Sequence, residues 1–430
     1  MTHGTKITSA SMAGKRAGVL GSGRSGRAAA LVLQALGASV RVVDKDADKL
    51  AAAYQGAEEG RMFELVGGEH EPSQFADLDL LVVSPGARVR DIEAHLPAGL
   101  PVLAELELAS RLVDEPIIAV TGTNGKTTTV SLAESMLRRA GKSVFLGGNI
   151  GTPLSQYLLT EERADVIVLE VSSFQLQHCE TFRPRVGVLL NFSPDHLDYH
   201  ASLEEYFEAK LRLFENQNAG DAALIDAALR GEVEKYGGLA ARVEWLTSAI
   251  DFKTPNLLGA HNRQNLEAAW KAVREMGVSE EDARAAAYDF EPPPHRLQIV
   301  GEKHGVIFIN DSKATTVESL AAALKAMDRP VRLLAGGKYK GGDLEALRPL
   351  ISEKVRAIGL YGGSREIFEK AWAGAAKMFW EETLEAAFAA HMDEAREGEA
   401  ILLSPATSSF DQYANYEERG NDFRRLVEEE

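Results

Sequence analysis

Apolar and polar positions along this 430-residue chain fall into short blocks that switch between strand-like and helix-like spacing. Apolar runs predict strands at 17–20, 39–43 and 80–83, with a helix over 25–36 between the first two. A second block begins at Pro116, with a strand over 116–120, a helix over 128–140 and buried strands at 166–170 and 186–190. Helical spacing then covers 203–214 and 262–276. Glu291-Pro292-Pro293-Pro294 cannot continue a helix and is stiff and extended, so it marks a boundary. Beyond it the alternation resumes, with strands near 306–310, 331–335, 357–361 and 401–403 between Ala-rich helices.

Strand, glycine loop, helix, strand is the opening of a βαβ unit. The pattern therefore predicts an α/β chain of three consecutive domains. They are a Rossmann-like N-terminal domain (1–109), a central P-loop ATPase-like domain with a mostly parallel sheet (110–294) and a Rossmann-like C-terminal domain (295–430). Residues 1–14 read as a loose tail.

Composition narrows the function classes. At 45% hydrophobic and 26% charged the chain is ordinary globular protein. Its net charge of -17 argues against nucleic-acid partners, which need a basic face, so an anionic substrate must meet local positive charge. No run reaches the roughly 18 apolar residues of a membrane span. The single cysteine, Cys179, excludes an internal disulfide and a Cys-cluster metal site, fits a reducing cytoplasm and reads as a small buried hydrophobe.

The strongest chemical signal is Thr121-Gly122-Thr123-Asn124-Gly125-Lys126-Thr127, between a strand and a helix. Its glycines let backbone N–H groups turn onto phosphate oxygens, Lys126 supplies an ammonium, and Thr127 a metal-binding hydroxyl. The expected guest is Mg-ATP. The loop is a shortened variant, because Val120 stands where the usual first glycine would be. An ordinary strand-to-helix turn is the bland alternative. Glu170 closes a strand beside this loop, where a magnesium ligand or a structural buried carboxylate would stand.

Gly21-Ser22-Gly23-Arg24-Ser25-Gly26 satisfies GxGxxG after a strand, and Asp44 follows about 20 residues on, as a ribose-binding acid would. Any diphosphate nucleotide, or a plain tight turn, fits the same residues; Ser84-Pro85-Gly86 would face the same crevice. His196 and His200 in Asp195-His196-Leu197-Asp198-Tyr199-His200 lack the Glu of a zinc protease helix. Lys210 sits in an amphipathic helix, and spacing alone turns it to water. Two lysine-bearing loops, 310–315 and 336–343, end strands of the third domain, where solvated lysines and a ligand crevice are both open readings.

These motifs resemble, from about Gly18 to Phe423, the Mur ligases, ATP-dependent amide-bond synthetases of peptidoglycan precursor assembly. Asn310-Asp311-Ser312-Lys313-Ala314-Thr315 and the stretch from Ser404 to Asn421 are most similar to the D-glutamate-adding branch. The Asp-Asn-Pro-Arg motif of the diaminopimelate-adding branch is absent from the chain. The resemblance implies that ATP phosphorylates the alanyl carboxylate of UDP-N-acetylmuramoyl-L-alanine and that the D-glutamate amine attacks the acyl phosphate.

It also implies residue roles. Gly122, Thr123, Asn124, Gly125, Lys126, Thr127, Thr128, Asn262, Asn265, Arg296 and Asp311 would bind ATP. Thr127, Glu170, His196 and Lys210 would serve two Mg2+ ions, with Lys210 carbamylated to N6-carboxylysine, and Lys126, Glu170, His196 and Lys210 would form the catalytic set. Gly21, Ser22, Gly23, Arg24, Asp44, Lys45, Gly86, Asn149, Ser172 and Gln175 would hold the UDP-substrate. Lys313, Thr315, Lys340, Ser409 and Tyr416 would hold D-glutamate, with Lys338 as a rival to Lys340 and Tyr416 where the family often has Phe. A cytoplasmic monomer is expected. A nicotinamide oxidoreductase would use only the first glycine loop, and a nucleotide-gated binding protein would hold ATP without turnover.

Overall fold

The computed structural model describes residues 7–55, 63–196 and 199–430, and its strands form three sheets. The first contains β1 (Arg16–Leu20), β2 (Ser39–Asp44), β3 (Phe63–Gly67), β4 (Leu80–Val83) and β5 (Val102–Ala104). They lie in the order β3-β2-β1-β4-β5, each neighbour parallel. The second contains β6 (Ile117–Thr121), β7 (Val144–Gly148), β8 (Val166–Glu170), β9 (Val186–Leu189), β10 (Ala222–Asp226) and β11 (Arg242–Leu246). Their order is β11-β10-β9-β6-β8-β7, again parallel throughout. The third contains β12 (Gln298–Lys303), β13 (Val306–Asn310), β14 (Val331–Gly336), β15 (Val355–Tyr361), β16 (Lys377–Glu381) and β17 (Ala400–Leu403). Here the order is β12-β13-β17-β14-β15-β16, and only β12 runs antiparallel to its neighbour.

Helices cover both faces of a parallel sheet, so its inner strands are apolar on both sides. That is why β4, β6, β8 and β13 are buried along their whole length. The α/β reading with three mostly parallel sheets holds. Close contacts divide the chain into two compact units, Met1–Ile250 with Gln264–Ala286, and Asp251–Arg263 with Ala287–Glu430. The first unit carries the first two sheets and the second unit the third.

Inside the first unit the two sheets are tied by the helix Glu105–Ser110. Glu105 and Glu107 are both buried. Glu105 accepts the Ser155 amide at 2.7 Å, and burial pushes its carboxyl up. Glu107 accepts the amides of Thr181 and Phe182, each at 2.9 Å, and the Arg111 guanidinium at 2.7 Å.

Three expectations need correction. The supposed tail is ordered from residue 7: Ser9–Met12 is a helical turn closed by a Thr8/Ser11 capping box, and Met12 packs into the first core. Residues 1–6 lie outside the described part. The segment 203–214 is an α-helix only over Leu203–Leu211, followed by a 3-10 turn at Arg212–Phe214. Lys210 does not face water. Tyr206, Ala209, Lys210 and Leu213 share the inward stripe at i, i+3, i+4 and i+7, and all are buried.

Candidate active site

The first glycine loop turns at Gly21, with φ +93°, between β1 and the helix Arg24–Ala35. A Cβ on Gly26 would lie 1.9 Å from the Gly21 carbonyl oxygen, so loop and helix meet only without a side chain there. Ser22 donates its amide and hydroxyl to Asp44 Oδ2 at 2.7 and 2.6 Å. Burial works to raise the Asp44 carboxyl, yet the Ser22 hydrogen bonds hold it below its ordinary value. A cavity of about 540 Å³ opens beside this loop, lined by Gly21, Gly23, Arg24, Asp44, Lys45, Gly86 and Asn149. Lys49 and Arg88 also line it, which gives an acidic chain its local cations. Arg24 Nη1 donates to the Gly151 carbonyl at 2.7 Å and links the first sheet's loop to the second's.

At the end of β6 the second loop turns through Gly122 (φ +146°) and Gly125 (φ +86°) into the helix Lys126–Arg139. A Cβ on Gly125 would stand 2.3 Å from Asn265 Oδ1, so Asn265 fills the space a side chain would need. Asn191, after β9, bolts the loop in place: its Oδ1 accepts the Asn124 amide at 2.9 Å and its Nδ2 donates to the Asn124 carbonyl at 3.0 Å. Lys126 Nζ donates to the carbonyls of Gly122 and Thr123, both at 2.8 Å.

β8 ends at Glu170, buried beside β6 and β7. Thr127 Oγ1 donates to its Oε2 at 2.7 Å and Asn149 Nδ2 to its Oε1 at 2.9 Å. One carboxylate thus joins the second glycine loop to the rim of the first cavity. Hydroxyl and carboxylate are hard oxygen donors suited to Mg2+. Among the described residues no group of three or more His, Cys, Asp or Glu forms a cage. Magnesium needs none, because it keeps water and phosphate oxygens.

Lys210 Nζ lies 3.1 Å from the Gly122 carbonyl oxygen and 4.4 Å from the centre of the Tyr206 ring. Burial first, and the Lys126 ammonium second, push its own ammonium form well below the ordinary lysine range. Burial pushes the Tyr206 phenol up to about 12. His196 is half-exposed with φ +54° and meets the rings of Phe174 and Tyr206 edge-on. Four residues on, His200 Nε2 is 2.9 Å from Ser173 Oγ, while Leu197 and Asp198 lie outside the described residues. Ser172 caps the short helix Ser173–Leu176, bonded to Gln175.

In the second unit the marked residues stand at the C-terminal ends of β13, β14 and β17 and at the start of the helix Tyr416–Glu429. Asp311 accepts the Leu297 amide at 3.2 Å and the Ser404 hydroxyl at 2.9 Å, and burial pushes its carboxyl up to about 7. Lys313 Nζ sits 5.2 Å from the centre of the Tyr416 ring, and burial pushes that phenol up to about 12. Thr315 is half-buried, Ser409 is buried, and the side chains of Lys338 and Lys340 are both exposed. The main chain of Lys338 pairs with that of Ser408 in both directions.

Residues 120–235 match the Mur ligase middle domain and residues 295–407 the Mur ligase, glutamate ligase domain. A UDP-N-acetylmuramoylalanine–D-glutamate ligase of Nitratidesulfovibrio vulgaris (strain DP4) is 54% identical over 414 residues, 95% of each chain. The chain belongs to the Mur ligase family. A ligase of the same description from Oleidesulfovibrio alaskensis is 50% identical to this Mur ligase over 99% of this chain and 96% of that one. Among solved structures, MurF ligase from Thermotoga maritima in complex with ADP shares the fold at TM-score 0.60 and 16% identity, covering 98% and 97% of the two chains.

Of the residues singled out in this Mur ligase, Lys126, Thr127, Glu170, Asn149 and Lys210 are brought together by direct bonds or by the shared Gly122 carbonyl. Ser22, Ser172 and Gln175 do not line the first cavity; Ser22 is turned onto Asp44, and Ser172 and Gln175 bond each other. Asn262 belongs to the second unit and donates to the Leu258 carbonyl at 2.6 Å, whereas Asn265 belongs to the first. The sequence assigned no role to Asn191, to Asn310, which it shows only as the head of the 310–315 motif, or to the fully buried Arg419. Arg419 donates to the Ser312 hydroxyl and carbonyl and to the Thr407 carbonyl, at 2.9, 2.7 and 3.2 Å. Arg419 stands within the 404–421 stretch, whose resemblance was its signal.

Proposed function

We propose that this Mur ligase joins D-glutamate to UDP-N-acetylmuramoyl-L-alanine through an acyl phosphate, releasing ADP and phosphate. The observation that carries the reading is Glu170, whose two oxygens take Thr127 of a triphosphate loop and Asn149 at the rim of a cation-lined cavity. The close relatives' description supports the same amino acid and acceptor. A carboxylate is a poor acyl donor at neutral pH. Transfer of the γ-phosphoryl group to its oxygen expels ADP and creates a phosphate leaving group, which the D-glutamate nitrogen then displaces as it loses a proton. Bound Mg2+, two ions in this reading, would neutralise phosphate charge.

In this reading Gly122 to Thr128, Asn262, Asn265, Arg296 and Asp311 hold ATP, with Lys126 on its β- and γ-phosphates. Thr127 and Glu170 take one Mg2+; His196 and Lys210 serve the other. Burial and the Lys126 ammonium favour the neutral amine of Lys210, and that form attacks CO2, forming an N–C bond and losing a proton, which supports carbamylation of Lys210. Gly21 to Arg24, Asp44, Lys45, Gly86, Asn149, Ser172 and Gln175 serve the UDP-substrate. Lys313, Thr315, Lys340, Ser409 and Tyr416 serve D-glutamate, whose two carboxylates call for cations and donors. The proposal includes functional domains at 1–109, 110–294 and 295–430, and a cytoplasmic monomer.

The test is phosphate release from Mg-ATP and UDP-N-acetylmuramoyl-L-alanine with D-glutamate, L-glutamate, L-alanine or L-lysine as the amine. Stimulation by D-glutamate alone is expected; stimulation by another amino acid alone would redirect the proposal to a different ligase.

A further inference from the structure

Two residues flanking Arg296 have left-handed backbones, His295 at φ +64° and Leu297 at φ +44°. Side chains with a Cβ rarely adopt this region, and such strain persists only where surrounding contacts over-determine it. The contacts here are specific. The His295 amide donates to Gln298 Oε1 and its carbonyl accepts the Lys313 amide, both at 3.2 Å. The Leu297 amide donates to Asp311 Oδ1 at 3.2 Å. The imidazole of His295 is buried against Gly420, where a Cβ would lie 2.1 Å from Nδ1.

Asn310, fully buried at the end of β13, closes the arrangement. Its Nδ2 donates to the Gly420 carbonyl at 2.8 Å and stands 3.1 Å from His295 Nδ1, while its Oδ1 accepts the Ser312 amide at 3.2 Å. Carbonyl on one side and amide on the other fix which way the carboxamide points. Nδ2 has only hydrogens to offer, so His295 Nδ1 must be the acceptor, and the ring is neutral with its proton on Nε2.

We propose that Asn310 is a positioning residue: its carboxamide locks the left-handed turn His295–Leu297 and thereby presets the backbone that carries Arg296 for its work on the triphosphate. The inference rests on the reading of Arg296 as a triphosphate ligand. Gly420 is part of the same device, since any side chain there would displace the imidazole that Asn310 grips.

A double-mutant cycle with an NMR readout tests it. Asn310→Ala, and the isosteric Asn310→Asp, which keeps at most one of the two donated hydrogens, are each expected to lower kcat/KM for ATP about tenfold to a hundredfold. Combined with Arg296→Ala they should lower it no further than Arg296→Ala does alone. Nitrogen shifts of His295 in the unmutated protein should show the proton on Nε2, and Asn310→Ala should lose that preference. Unshifted backbone amide resonances across the second unit, away from residues 295–298, 310 and 420, report an intact fold. Multiplying effects, undiminished Asn310→Ala activity, or a proton on Nδ1 would each overturn the proposal alone. Full activity of Arg296→Ala would overturn the triphosphate reading of Arg296 and the proposal with it.

Discussion

The side-chain nitrogens of Lys126 and Lys210 both donate to one atom, the carbonyl oxygen of Gly122, at 2.8 and 3.1 Å. Two like charges on one oxygen repel, and the repulsion adds to burial in disfavouring a charged Lys210. Conversion of Lys210 to a carbamate replaces that repulsion by attraction.

Lys210→Ala is therefore expected to lose most ligase activity and to regain part of it in high acetate, which supplies the missing carboxylate. A carbonyl carbon resonance after exchange with labelled hydrogencarbonate, absent in the variant, is the direct check. Undiminished activity of Lys210→Ala would remove the residue from the site.

Lys126→Ala removes the ammonium of the second glycine loop and leaves the first cavity's lining untouched. Acyl phosphate formation should fall by about a hundredfold or more, while titration calorimetry finds UDP-N-acetylmuramoyl-L-alanine bound as before. Loss of both would mean that the variant had lost its fold.

Gly125→Ala asks for a side chain at φ +86° and 2.3 Å from Asn265 Oδ1. The left-handed backbone alone costs about 1–2 kcal/mol, and the contact adds to it, so ATP affinity and melting temperature should both drop. Adding Asn265→Gly should relieve the contact but leave the backbone cost. Complete recovery would show that the strain is negligible.

Asp311 gives the second unit a pH dependence of defined sign. Its folded carboxyl is pushed up to about 7 from an ordinary 3.8, so between those values the folded state holds a proton that the unfolded chain has lost. The stability this contributes is full below the unfolded value and is lost as pH rises through the folded one. Asp311→Asn keeps an acceptor for the Leu297 amide and should flatten urea-melt stability across that window. A variant with an unaltered slope would assign the titration to another group.

What the chain discloses about its own fold follows the sheet positions. The strands at 17–20, 80–83, 166–170 and 306–310 are legible because both faces are covered and the residues are apolar up to the closing Glu170 and Asn310 of the last two. All six sheet edges, β3, β5, β7, β11, β12 and β16, escape the reading. Edge strands are short or half-covered: β3 reads Phe-Glu-Leu-Val-Gly and β12 Gln-Ile-Val-Gly-Glu-Lys, with few buried positions. β10 is interior but opens on Ala222-Ala223, which carry little strand preference. In the site, the phosphate loop and Glu170 are visible because their order along the chain is their order in space. Asn191, Asn310 and Arg419 act across 67, 110 and 107 residues of chain respectively, on partners that no local spacing brings to notice.

The helix Glu105–Ser110 bears on any attempt to take the protein apart. Glu105 and Glu107 leave the first sheet's chain only to be satisfied by main-chain amides of the second. A cleavage at 109/110 would strip two buried carboxylates of their donors on one fragment and leave three amides bare on the other. The parts of the first unit on either side of that point should melt in a single transition, and a fragment ending there should accumulate as an insoluble product.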